Sequence, residues 1–146
     1  MLLNFQRQFA RPVLVGKKRQ TIRAAGKRVH VPKVGDLAHC YTGLRTRSTV
    51  RLGSWPIHSV QVLRMSISAA GLADVVLGDS PLSGAQLGQL AQCDGFADAR
   101  AMSLWFAENH EPGDFYGWVI CWDWCPVPDV VLPFERNGGK SAEVQP

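Results

Sequence analysis

Residues 16–23 read Gly-Lys-Lys-Arg-Gln-Thr-Ile-Arg, four cations and one hydroxyl in eight positions. Gly16 follows the apolar turn Pro12-Val13-Leu14-Val15 and is placed to end it as a helix-terminating glycine. From Arg19 through Ile22 the chain alternates as a strand does. Thr21 and Arg23 then share one face, and Gln20 and Ile22 the other. Period 2 sends Lys18 to the face opposite Thr21, so the two converge only if Lys18 sits in the bend before the strand.

Outward from this stretch the chain breaks into short elements. Upstream, residues 4–9 read as a strand and 10–15 as a short helix, with Pro12 tolerated in its first turn. Downstream, residues 24–33 are basic and without a sustained period, an exposed connection able to close over a ligand. Val34-Gly35-Asp36 is a turn into a strand over 37–42, where Tyr41 keeps the parity of Leu37 and His39. Residues 44–49 form a polar loop carrying Arg45 and Arg47. Strands follow over 50–55 and 57–65, separated near Pro56, and over 73–77.

Asp79-Ser80-Pro81 signals a helix start, with an apolar stripe of Leu87, Leu90 and Ala91 running to about Cys93. After the break at Asp94-Gly95-Phe96, Asp98 is placed to cap a second helix to about Asn109, whose Ala101, Met102, Trp105 and Phe106 read as core. Residues 115–124, Phe-Tyr-Gly-Trp-Val-Ile-Cys-Trp-Asp-Trp, are the strongest strand in the chain. Six or seven short strands with two or three short helices give an α+β fold, a small closed or half-closed mixed barrel rather than a doubly wound sheet. The expected domain covers residues 1–126, and 127–146 form a C-terminal extension expected to be flexible beyond 136.

At 146 residues and 46% hydrophobic the chain can bury one core without staples. It shows no leader-like start and no run near the roughly 18 apolar residues of a membrane span, so a soluble, cytoplasmic protein without a membrane partner is expected. Cys40, Cys93, Cys121 and Cys125 form no C-x-x-C pair, which favours free thiols over a metal site or disulfides; no metal or cofactor is expected.

Charge is lopsided. Residues 1–64 hold thirteen Lys and Arg against one acid, Asp36, whereas the rest holds Arg100, Arg136 and Lys140 against eleven acids. The basic half suits a phosphate-bearing partner, and the acidic half suits self-complementarity or exclusion of other partners. Candidate nucleic-acid contacts are Lys17, Arg23, Lys27, Arg28, Arg45 and Arg47, with Tyr41 as a base-stacking surface.

In the order of its parts the chain resembles the ASCH domains, small β-barrels similar to the RNA-binding PUA domain. The resemblance rests on an early aromatic strand, a short helix ending in Gly16, Lys18 with Thr21-Ile22-Arg23, Gly35-Asp36 opening the next strand, Asp94-Gly95-Phe96 before a helix with Trp105-Phe106, and a last strand through Trp118 and Ile120. It covers residues 3–124. It implies a PUA-like barrel and an RNA-related role. Some relatives deacetylate acetylcytidine with a Lys, a Thr and a Glu, and others are reported to cut RNA. Lys18 and Thr21 match the first two, and Asp94, one methylene shorter, stands at the third.

The residues themselves allow that chemistry without requiring it. Thr21 becomes a nucleophile only if a base takes its proton, and Lys18 is the candidate, its amine made less basic by Lys17, Arg19 and Arg23. Asp94 would favour the charged form, or orient the amide being cleaved. Lys18 as a phosphate contact and Thr21 as a strand-surface hydrogen bonder is the alternative. Metal-free RNA cleavage would draw on Lys18, Tyr41 and Asp94. No histidine is singled out by spacing.

The sequence therefore points to an RNA- or nucleotide-binding ASCH-like domain with a basic cleft, acting in RNA processing or cleavage. The alternative is an amidohydrolase deacylating an N-acetylated pyrimidine nucleoside through Lys18, Thr21 and Asp94; a third reading is a non-catalytic, self-associating interaction module. Whether it is an enzyme stays open. If it is, a metal-independent hydrolase is implied, a nucleoside amidohydrolase or a ribonuclease.

Overall fold

Leu3 and Phe5 point inward from β1 (Leu2–Phe5), and α1 (Arg7–Leu14) follows after Gln6. The strand expected over 4–9 therefore stops at Phe5. Phe9, Ala10, Val13 and Leu14 are spaced as one helical face, and all four are buried, so helical burial overrides the local alternation. Pro12 lies inside α1 rather than in its first turn, and its carbonyl accepts the Lys18 N–H at 2.9 Å. Gly16 ends the helix as expected, with φ +80°, and a Cβ there would lie 2.5 Å from the Trp124 ring.

The computed structural model describes residues 1–135 and is α+β, with seven strands and three α-helices among them; the tail expected to be flexible beyond 136 lies outside the described residues. After β2 (Gln20–Ala24) the irregular connection over 25–36 leads to β3 (Leu37–Thr42). The two strands expected on either side of Pro56 are one, β4 (Val50–Ser68). Its first part pairs antiparallel with β3, and from Ile57 it pairs with β7 (Gly113–Trp122). Pro56 sits at this hand-over between partners, where its missing N–H breaks no continuous ladder. β5 (Gly71–Leu77) and β6 (Ser80–Pro81) form a hairpin on the other edge of β4.

That hairpin takes up Asp79-Ser80-Pro81, so α2 (Gly84–Cys93) starts later than the sequence signal suggests. Ser83 caps it in a reciprocal capping box with Gln86. α3 (Ala99–Asn109) begins at the expected cap, Asp98, which accepts the Ala101 N–H at 2.8 Å.

The ladders run β1-β3-β4-β7-β2, with β1 parallel to β3 and the other pairs antiparallel. β1 and β2 are thus the two ends, and among the described residues no backbone ladder joins them. What spans them is a side chain, Arg23, whose Nη2 donates to the Asn4 carbonyl at 2.8 Å.

One core cluster packs α1 against β1, β3, the first half of β4 and the end of β7, with Trp55 and Trp122 stacked 6.4 Å apart. A second packs α2 and α3 against β5, β7 and the later part of β4. Residues 127–135, assigned from sequence to the extension, return to the first cluster: Leu132 is buried, Arg7 lies over the Phe134 ring, and Arg11 pairs with Glu135. Among the described residues no helix is long and apolar enough to cross a membrane.

Candidate functional site

Lys18 falls in the irregular link between α1 and β2, which is the condition the alternation sets. Freed from strand parity, its side chain turns to the same cavity as Thr21, and both are buried, at 2% and 4% exposure. Asp94 arrives from the end of α2, and its Oδ2 lies 3.3 Å from Lys18 Nζ. Lys18 Nζ also donates to the Asp94 carbonyl oxygen. The last carbonyls of a helix carry partial negative charge, so α2 presents both its dipole and a carboxylate to the ammonium.

Gly95 makes this approach possible. Its φ is +97°, and a Cβ would meet Lys18 Cδ at 3.1 Å and the Phe9 ring at 3.2 Å. Gln20 Nε2 supports the group from the other side, 3.4 Å from the Leu90 carbonyl and 3.5 Å from Asp94 Oδ1. Arg23 Nε donates to Thr21 Oγ1 at 3.1 Å, which leaves the hydroxyl proton free for another acceptor. Phe5 and Phe9 lie beneath the cations. Arg23 Cζ is 4.8 Å from the Phe5 centroid, and Lys18 Nζ is 5.0 Å from that of Phe9.

Burial dominates the electrostatics. It pushes the Lys18 ammonium below its ordinary range against the pull of Asp94, and pushes the Asp94 carboxyl up against Lys18, Gln20 and Arg23. The proton affinities of amine and carboxylate are thereby drawn together, so a proton passes between Lys18 and Asp94 at a lower cost than between the free groups in water. Burial also lowers the Arg23 guanidinium, which remains charged, and raises the neighbouring Cys40 thiol to about 12, keeping it neutral.

The cavity measures about 220 Å³. Clefts for drug-sized ligands run to roughly 300–1,000 Å³, so this one admits a single ring rather than an extended chain. Besides Lys18, Thr21 and Arg23, the cavity is lined by an aromatic wall of Phe9, Phe96, Trp105 and His110. Phe96 lies 5.4 Å from Phe9 and 5.8 Å from Trp105, and His110 lies 5.8 Å from Trp105. Burial lowers the His110 pKa, so the imidazole is neutral at pH 7.

Lys18, Thr21, Arg23 and Asp94 are therefore brought together, and the other candidates are not. Tyr41 is absent from the cavity lining: Ala38, Cys40 and Thr42 take the inward face of β3, and one residue on from Cys40 the chain points the other way. Lys27 and Arg28 are exposed on the connection before β3, and Arg45 and Arg47 on the loop after it. Lys17 lines a separate cavity of about 360 Å³.

Trp105 and Phe96 read from sequence as core and helix break, and Gln20 and His110 carry no signal at all. Spacing on α3 does place Trp105 beside Met102 and Phe106, but does not show that those two are buried while Trp105 is only half-buried. Among the described residues no group of three or more His, Cys, Asp or Glu could hold a metal ion. The chain matches no protein-family model, and no curated protein or solved structure is significantly similar to it.

Proposed function

We propose that the chain is an ASCH-like domain, a PUA-like barrel in which Arg23 helps to close the gap between β1 and β2, and that it takes one base of an RNA or nucleotide into the cavity. The observation that carries this reading is that a space the size of one ring is lined by polar and by aromatic groups together. Lys18, Thr21 and Arg23 supply charge and hydrogen bonds, and Phe96, Trp105 and His110 supply flat apolar surface. Aromatic stacking contributes roughly 1–3 kcal/mol per base and suits a ligand with a π face. Titration with nucleoside monophosphates and short RNA, followed by tryptophan fluorescence, tests it. Trp105→Leu should weaken binding about tenfold or more; equal affinity in variant and wild type rejects the base site.

A second reading, nucleoside deacylation, is favoured by the hydrogen bond from Arg23 to Thr21. A guanidinium donating to the hydroxyl oxygen stabilises negative charge there, and Lys18 in its neutral form would take the proton. Thr21 Oγ1 would add to the acyl carbonyl, and the amide C–N bond would break as Lys18 returns the proton to the departing nitrogen. Water would then hydrolyse the threonine ester. Wild-type protein should consume acetylcytidine and Thr21→Val should not; turnover by both, or by neither, rejects this chemistry.

A further inference from the structure

We infer that the second cavity, lined by Lys17 and Arg19, is a phosphodiester site for the strand whose base enters the first cavity, an inference that rests on the base-binding reading above. The stretch between α1 and β2 divides its cations. Lys18 turns to the first cavity, whereas Lys17 and Arg19 turn to the second. Gln20 lies between the two. It lines the second cavity while its Nε2 reaches to 3.5 Å from Asp94 Oδ1 in the first.

Arg19 is built as an anion receptor. Its Nε donates to the Gly16 carbonyl at 2.7 Å and its guanidinium lies 5.3 Å from the centre of the Trp124 ring, which together fix the fork. Among the described residues its terminal nitrogens have no hydrogen-bond partner, and neither Arg19 nor Lys17 has a carboxylate within ion-pair distance. A planar, pre-oriented and unpaired guanidinium matches two oxygens of a phosphate. The cavity wall also carries one carboxylate, Asp123, whose Oδ1 lies 2.9 Å from His58 Nδ1. At about 360 Å³ the space exceeds that of the first cavity and accommodates a phosphate with part of its sugar.

The test is binding of a fluorescein-labelled random RNA dodecamer to the full chain over a range of potassium chloride concentrations. Removing one cation that neutralises a phosphate lowers the slope of log K against log salt by about one. Arg19→Gln should weaken binding several-fold and reduce the slope by about one, Lys17→Ala should reduce it similarly, and Arg100→Gln on α3 should leave it unchanged. Circular dichroism of each variant establishes that it is folded, and Lys17→Ala serves if Arg19→Gln is not. Wild-type slopes in both variants, with Trp105→Leu still weakened, overturn the phosphodiester site alone. No binding of the dodecamer by wild type overturns the base reading as well. Inorganic phosphate that binds wild type but not Arg19→Gln, while the salt slope for the dodecamer is the same in both proteins, would assign the cavity to free phosphate instead.

Discussion

Lys18 Nζ and Asp94 Oδ2 lie 3.3 Å apart with side chains only 2% and 6% exposed, so the site is built on an ion pair withdrawn from water. Removing two charges from solvent costs several kcal/mol per ion, and mutual attraction offsets this only when the remaining donors and acceptors are satisfied. Here they are partly satisfied by the Asp94 carbonyl, Gln20 and the end of α2. Such a pair is poor at adding stability and well suited to holding a movable proton.

Breaking the pair from one side should therefore be worse than removing it. Asp94→Asn leaves a buried ammonium and Lys18→Met a buried carboxyl, and each should destabilise the fold by about 3–5 kcal/mol. The double variant Lys18→Met/Asp94→Asn should cost less than the sum of the two, with a coupling of at least about 1 kcal/mol. Urea unfolding of the four proteins measures this. Strict additivity would show that the two side chains do not act as one unit.

The convergence of Lys18 and Thr21 is legible in the sequence because it follows from local geometry: Gly16 ends α1, β2 begins at Gln20, and what lies between escapes strand parity. The acidic partner is legible through its sequence resemblance and its place beside a helix-breaking Gly95. The long-range features are not. That β4 runs unbroken through Pro56 depends on its changing partners from β3 to β7 at that point, which no local pattern encodes. Trp105 reads as core for the same reason. Trp105 has helical spacing whether its outer edge meets another side chain or, as here, a cavity. Tyr41 keeps the parity assigned to it, but that parity faces away from the site.

Arg23 holds two structural positions at once, the Asn4 carbonyl at 2.8 Å and the Thr21 hydroxyl at 3.1 Å. Lysine carries the same charge but is a compact ammonium that cannot place two donors along a rigid fork. Arg23→Lys should therefore lose nearly as much stability as Arg23→Met, about 1–3 kcal/mol each, the usual range for hydrogen bonds from a charged donor. Hydrogen exchange should accelerate at the edges of β1 and β2 before other strands. Full retention of stability in Arg23→Lys would mean that charge alone, and not the bridge from β1 to Thr21, is what the fold uses.

Cys40 gives a test of the same buried environment with an unambiguous sign. Its thiol titrates near 9.0 when unperturbed and at about 12 in the fold, because burial penalises the thiolate more than Arg23 and Lys18 relieve it. Between these values the unfolded chain has lost the proton and the folded chain still holds it. Unfolding then releases a proton, so the stability conferred by this group is fully present below pH 9 and is lost as pH rises toward 12. At about 1.4 kcal/mol per pH unit the whole effect approaches roughly 4 kcal/mol. Cys40→Ala should show a constant small loss below pH 9 and a shallower decline above it, so that the two unfolding free-energy curves converge with pH. Parallel decline in both proteins would locate the alkaline sensitivity in other groups and would mean that water reaches the Cys40 sulfur.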